Sequence, residues 1–339
     1  MRELNYKDAV NEAIRQEMQA DERVFLMGED IAGGAGNPGM ERKSGLGGAF
    51  AVTTGLVEEF GRKRICDMPI SETGFLGMGI GAAFAGLRPI VEIMYVDFIG
   101  VCFDQLFNQA AKMFYLYGGK NPVPMVIRTA CGAGFRAGAE HAQTLYPIFT
   151  SIPGLKVVVP SDAYDAKGLL IQAIRDNDPV VFLEHKRLYM KKCHVPEESY
   201  TIPFGKAVVK RPGEDITIIA IQKMVEYAQK AAEELQAMGI SAEIIDPRTL
   251  SPLDTTTMIQ SAQKTGRVMI VDESYPRCGM AADISAQLSE KLFGILKAPI
   301  FRVTPPHAHI PYAGALEDEW VPSAKKIVQA AQGLYNYQG

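Results

Sequence analysis

Short apolar runs alternate with segments of helical period along the whole chain, and this alternation limits the fold more than any other feature. Val24 to Asp30, which ends in two carboxylates, Ile65 to Met68, Arg88 to Tyr95, Pro124 to Arg128, Val157 to Pro160 and Pro179 to Leu183 have strand length and are mostly apolar. Between them, residues 6–19 carry Val10, Ala13, Ile14 and Met18 at helical spacing, and helices are expected near 51–60, 97–117 and 163–175. Such a rhythm predicts an α/β fold with a mainly parallel, doubly wound sheet.

The pattern then repeats. The polar segment from Lys186 to Pro203, with Pro196 and two glutamates, reads as a linker. Beyond it, strands are expected at 215–221, 242–245, 268–271 and 299–303, with helices at 225–238, 254–264, 280–292 and 322–334. The 339 residues therefore divide into two domains, 1–190 and 205–339, joined by 191–204.

A net charge of −4 without a basic run argues against nucleic acid or an anionic membrane as partner. The five cysteines form no Cys-x-x-Cys pair and read as reduced thiols. The first residues lack an apolar signal core, and the longest weakly polar run, Phe75 to Leu87, is too short to span a bilayer, so a cytoplasmic protein without a membrane anchor is expected.

The densest chemistry lies between Ile65 and Gly86. Pro69 ends a short strand, Ser71 is placed to cap a helix, and Glu72 falls at the mouth of the strand-to-helix turn. In an α/β sheet, ligands sit in the crevice beyond the strand ends. The helix that follows holds Gly74, Gly77, Gly79, Gly81 and Gly86, each costing roughly 1 kcal/mol of helix stability. Close approach of another backbone or of a ligand would offset that cost. Glu72 is then either a carboxylate favoured by the helix dipole or a half-buried proton carrier beside a flat apolar ligand. This stretch alone leaves both readings open.

Other motifs narrow the chemistry. The glycine-rich loop 33–48 lacks the Gly-Lys-Ser/Thr order of a phosphate loop and reads as an active-site or surface loop. A second glycine-dense loop, 129–143, holds His141, either a structural histidine or a proton carrier. There is no His-Glu-x-x-His and no Gly-x-Ser-x-Gly, and His307-Ala308-His309 has no third ligand nearby in sequence. Gly77 to Ala82 matches a dinucleotide fingerprint, but the glycines follow Glu72 instead of forming the turn, which disfavours a nicotinamide dehydrogenase.

Asp67 to Phe75 closely resembles the Pro-Ile-Ser-Glu-x-Gly signature of the β subunits of thiamine-diphosphate-dependent 2-oxo acid dehydrogenases. So do Gly86 to Ile90, Pro153 to Val158, Asp165 to Leu169 and Asp246 to Asp254, in the same order and over nearly the whole chain. Val96 to Gln105 and Gly132 to Arg136 look like the acetoin-cleaving members.

The resemblance implies a pyrimidine-binding, transketolase-like N-terminal domain and a transketolase C-terminal-like domain. It implies that Glu72 hydrogen-bonds the aminopyrimidine of thiamine diphosphate and so promotes formation of the ylide. Phe98 would stack on the pyrimidine, Ile70 would line its pocket, and Glu29 would belong to an acidic path between two active sites. His141 would stand close to the reacting substrate and aid acyl transfer to a lipoyl group. Met125, Ala173, Asp176 and Asp178 would fall near a potassium site held mostly by carbonyls. No Gly-Asp-Gly occurs in the chain, so Mg²⁺ and the diphosphate would be held by a separate α subunit. The implied assembly is an α2β2 heterotetramer with a β-β contact, docked on a dihydrolipoyl acyltransferase core. A scaffold without catalytic function is the remaining alternative.

Overall fold

In a computed structural model of the chain, residues 2–33 and 46–338 are described. They form two compact units: residues 2–131 with 148–203, and residues 132–147 with 204–338. The second unit thus includes a loop from the middle of the N-terminal half.

The first unit begins with strand β1 (Arg2–Asn5) and helix α1 (Tyr6–Ala20). Asn5 sets the junction, its side chain accepting the Asp8 N–H at 2.9 Å. Ala9, Val10, Ala13, Ile14 and Met18 fall on one buried face of α1, as their spacing predicts. Then follow β2 (Val24–Gly28), α2 (Leu56–Phe60), β3 (Ile65–Asp67), α3 (Glu72–Phe84) and β4 (Arg88–Tyr95). The unit continues with α4 (Met113–Leu116) and β5 (Val126–Cys131), and a short helix α5 (Tyr146–Thr150) leads back into it. It closes with β6 (Lys156–Val158), α6 (Ala163–Arg175), β7 (Val180–His185) and β8 (Lys192–Val195).

Its sheet runs β6-β7-β5-β4-β2-β3 with every neighbouring pair parallel. The chain leaves β2 for β3 on one side and returns to β4 on the other. That reversal makes the C-terminal end of β2 a topological switch point, where a crevice opens.

Three expectations need correction. The helix expected over 97–117 is broken into a 3₁₀ turn at Val96–Gly100, a π-helical turn at Gln105–Ala110 and α4. Gly100 weakens the run, and the Thr73 hydroxyl bonds the Val101 carbonyl at 2.7 Å. Ser71 stands at the start of α3, but its side chain makes no capping bond; its carbonyl accepts the Gly74 and Phe75 N–H groups instead. The polar stretch expected as a linker contains β8, antiparallel to β1. Lys167, fully buried on α6, gathers the Pro196, Glu197 and Glu198 carbonyls at 2.7–3.0 Å and binds that stretch to the first unit. The glycine-rich loop lies outside the described residues over 34–45.

The second unit contains β9 (Val208–Arg211), β10 (Ile216–Ala220), α7 (Met224–Ala237), β11 (Ala242–Asp246) and the short β12 (Thr249–Ser251). After these come α8 (Thr255–Thr265), β13 (Val268–Val271), α9 (Met280–Lys291), β14 (Phe301–Val303), α10 (Gly314–Trp320) and α11 (Ala324–Tyr335). Its sheet order is β14-β13-β10-β11-β9, parallel except for β9. Its core joins Ile216, Ile218, Ile244, Met269 and Val271 to apolar faces of α7 and α11, and also buries Ala133 and Ala142 from the distant loop. Among the described residues, no helix is long and apolar enough to cross a membrane.

Candidate active site

Parallel pairing of β2 with β3 brings the ends of both strands to one edge. Met27 lies opposite Cys66 and Gly28 opposite Asp67. The residues that follow, Glu29 and Asp30 on one strand and Met68 to Glu72 on the other, must therefore meet. They line an open cleft of about 850 Å³ together with Met94, Phe98 and Val101.

Glu72 begins α3 and is only 6% exposed. Glu29, also buried, has a side-chain oxygen, Oε1, without a hydrogen-bond partner. Its pKa is raised above the usual carboxylate value, first by burial and then by the charges of Glu72, Asp30 and Glu92. A buried, unpartnered carboxylate oxygen beside a second buried acid is costly in an isolated chain, and a hydrogen-bonding ligand would relieve it. The residues present thus fit an aminopyrimidine.

The cleft is open on one side. Ile70 is 86% exposed, and Val101 is mostly so. Phe98 is partly buried and held edge-on to Tyr95, with ring centroids 5.5 Å apart. Burial and the Glu72 charge push the thiol of Cys102, buried next to this site, up to about 12, which disfavours its thiolate.

Expected residues Glu29, Ile70, Glu72 and Phe98 are therefore brought together in one cleft of the first unit. Sequence reasoning placed Asp30 beside Glu29 at a strand end without giving it a role in the site, and it passed over Glu92. Asp30 follows Glu29 directly and takes a left-handed backbone, φ 55°, as the strand turns away. Glu92 lies on β4 opposite Gly28 and bonds the buried Arg128 at 2.6 Å; Arg128 also holds Glu184 with two bonds. An acid in the middle of a mostly apolar strand was the available signal.

The residues expected near potassium sit elsewhere in the first unit, engaged in protein bonds. Lys156 Nζ lies 2.7 and 2.8 Å from the Asp176 carboxylate and 2.9 Å from that of Asp178. Arg88 donates to the Ile174 and Asp176 carbonyls, Val180 N–H to the Met125 carbonyl, and Asp176 N–H to the Ala173 carbonyl. A potassium ion would have to share these carbonyls and would meet carboxylates already matched by an ammonium. Among the described residues, no group of three or more His, Cys, Asp or Glu side chains is placed to hold a metal ion.

His141 belongs to the second unit, on the loop 132–147. Gly77 to Ala82 lies inside α3 and not in a turn, so it cannot cradle a pyrophosphate as the nicotinamide fingerprint requires.

Comparison with known proteins agrees with this architecture. The family described as "Transketolase, pyrimidine binding domain" matches residues 2–192, and "Transketolase, C-terminal domain" matches residues 205–327. The chain is 55% identical over 331 residues to a protein of Cupriavidus necator named acetoin:2,6-dichlorophenolindophenol oxidoreductase subunit beta, covering 98% of this chain and 97% of that protein. It is 42% identical over 338 residues to the pyruvate dehydrogenase E1 component subunit beta of Bacillus subtilis, covering 99% of this chain and all of the relative. A solved structure described as a split-gene transketolase, an inactive β4 tetramer, superposes with a TM-score of 0.77 at 21% identity, covering 98% of each chain, and supports the fold. With both domain matches and this identity over nearly its full length, the chain belongs to the transketolase-like β subunits of thiamine-diphosphate-dependent dehydrogenase first components, the family of the acetoin and pyruvate dehydrogenase β subunits.

Proposed function

We propose that the chain is the β subunit of an acetoin dehydrogenase, acting with an α subunit in an α2β2 assembly and passing the acyl group to lipoamide. The observation that carries this is Glu72, a buried acid at the start of a helix on the floor of a cleft left open on one side. The higher identity to the acetoin relative than to the pyruvate relative favours acetoin; pyruvate and branched 2-oxo acids are the alternatives.

Glu72 would hold the aminopyrimidine ring nitrogen by sharing a proton with it, a task for which a carboxyl group is suited and an amide is not. Phe98 offers a ring face to the flat heterocycle, and Ile70 an apolar wall. Glu29 keeps a second acid in the same cleft, its proton affinity raised by burial and by the charge of Glu72. When bound, thiamine diphosphate supplies the nucleophilic carbon that attacks the substrate carbonyl. Holding Mg²⁺ and the diphosphate is left to the α subunit, because this chain lacks Gly-Asp-Gly. His141 is assigned to acyl transfer. The C-terminal unit is assigned to β-β contact and to docking on the acyltransferase core, and the protein to the cytoplasm.

The outward side of α3 supports an α partner. Met78 and Phe84 are exposed there, and a Cβ added at Gly81 would meet none of the described residues within 4 Å.

Glu72→Gln tests the reading. In the assembled tetramer, exchange of the cofactor's C2 proton is expected to slow by roughly 10²–10⁴-fold with assembly intact. Unchanged exchange would remove Glu72 from the mechanism.

A further inference from the structure

We propose that Glu317, supported by Glu273 and Asp272, is a positioning residue that sets the conformation of the His141 loop. The second unit thereby tunes acyl transfer as well as assembly; this rests on the role assigned to His141 above.

The loop is closed at its neck by the Gly132 N–H on the Gln143 carbonyl at 3.1 Å. Between these residues the backbone takes positive φ at Gly132, Gly134, Arg136 and Gly138. Arg136, at φ 58°, has a side chain that disfavours this region, so the conformation persists only where the surroundings over-determine it.

Glu317 provides that determination. Its side chain is fully buried, and Oε1 accepts the Gly134 N–H at 2.8 Å. Its Oε2 accepts both the Arg136 N–H at 3.2 Å and the Arg136 Nη1 at 2.7 Å. Arg136 then reaches the Gly314 carbonyl and the Asp318 carboxylate. One acid therefore satisfies two loop amides and neutralises the guanidinium of the strained residue. Charge-assisted bonds of this kind are about twice as strong as neutral ones.

The rest of the loop is fixed by the same unit. The Ala133 N–H bonds Glu273 Oε1 at 2.6 Å, and the Tyr146 hydroxyl bonds Asp272. Asp272 also takes the Ser274 and Ala281 N–H groups and so holds the start of α9. Gly138 sits against the Tyr312 ring so closely that an added Cβ would lie 2.2 Å from it. His141 precedes Ala142, which is buried in the second unit's core, so its backbone follows whatever these tethers dictate.

The test uses the complete αβ complex and two variants, Glu317→Gln and Arg136→Met, the second removing only the partly exposed half of the clamp. In Glu317→Gln, amide hydrogen exchange at Gly134 and Arg136 is expected to speed up by roughly tenfold, with β13 and α11 unchanged. Turnover with a lipoyl acceptor is expected to fall more than turnover with a dye acceptor, mainly in kcat. Arg136→Met should show both effects more weakly and provides the measurement if Glu317→Gln does not fold. Unchanged loop exchange in whichever variant folds would overturn the proposal. Faster exchange with intact lipoyl turnover would also overturn it if His141→Ala loses that turnover. If His141→Ala retains lipoyl turnover as well, the role given to His141 fails while the tethering stands.

Discussion

At the scale of the residue, the cleft concentrates acid where a carboxylate is least welcome. Glu29 is buried beside Glu72, Asp30 and Glu92, and its proton affinity is raised. Between the ordinary carboxylate pKa and this raised value, the folded chain binds more protons than the unfolded one. Stability therefore falls as pH rises through that window, and the loss is complete above the folded pKa. Glu29→Gln removes the charge that burial disfavours. Its melting temperature should equal or exceed the parent's at pH 8, with the difference closing as pH falls through the window. A parent that loses stability no faster than the variant over the same range would contradict this account.

At the scale of the element, α3 has an inner and an outer side with different reasons for small residues. At Gly79, an added Cβ would stand 2.7 Å from Val91 Cγ2, in the buried middle of β4. Gly79→Ala gains about 1 kcal/mol of helix propensity. Overpacking a well-filled core costs about 1–3 kcal/mol, so the variant should be less stable. At Gly81 the space is open, and Gly81→Leu should leave the isolated chain at least as stable by thermal melting. If the α subunit covers this side, the same leucine should abolish co-purification of the two chains. Full assembly of Gly81→Leu would move the partner surface elsewhere.

The broken helix after β4 belongs to this scale too. The spacing of apolar and aromatic residues favoured one long helix over 97–117. The Thr73 bond to the Val101 carbonyl and the cleft-side placement of Phe98 belong to contacts that a one-dimensional pattern does not contain. Strands β1 and β8 were missed for the same reason. They are short and largely polar, and each becomes a strand only because the other supplies its hydrogen bonds.

At the scale of the whole molecule, one buried lysine anchors the path that leaves the first unit. Lys167 holds three consecutive carbonyls of 196–198 and the Glu12 carboxylate at 2.6 Å. Lys167→Met would leave those carbonyls and that acid with a lost donor inside the protein. The expected loss is about 3–5 kcal/mol, seen as a lower melting temperature and faster proteolysis between 196 and 203. Unchanged proteolysis would mean that β8 alone holds the segment.

By itself the sequence determined the alternation of strands and helices, the two α/β units, and the strand-to-helix turn that presents Glu72. These follow from hydrophobic period and local backbone chemistry, which neighbouring residues carry within themselves. Only the tertiary structure decided which acids act on one another there, because Glu29 and Glu72 meet in the cleft, with the charge of Glu92 close enough to act on Glu29, through strand order and not through spacing. The same holds for the loop bearing His141, which packs with the second unit since its amides find their acceptors on Glu273 and Glu317, far along the chain. Burial and hydrogen-bond satisfaction are properties of the packed whole, and a linear pattern records neither.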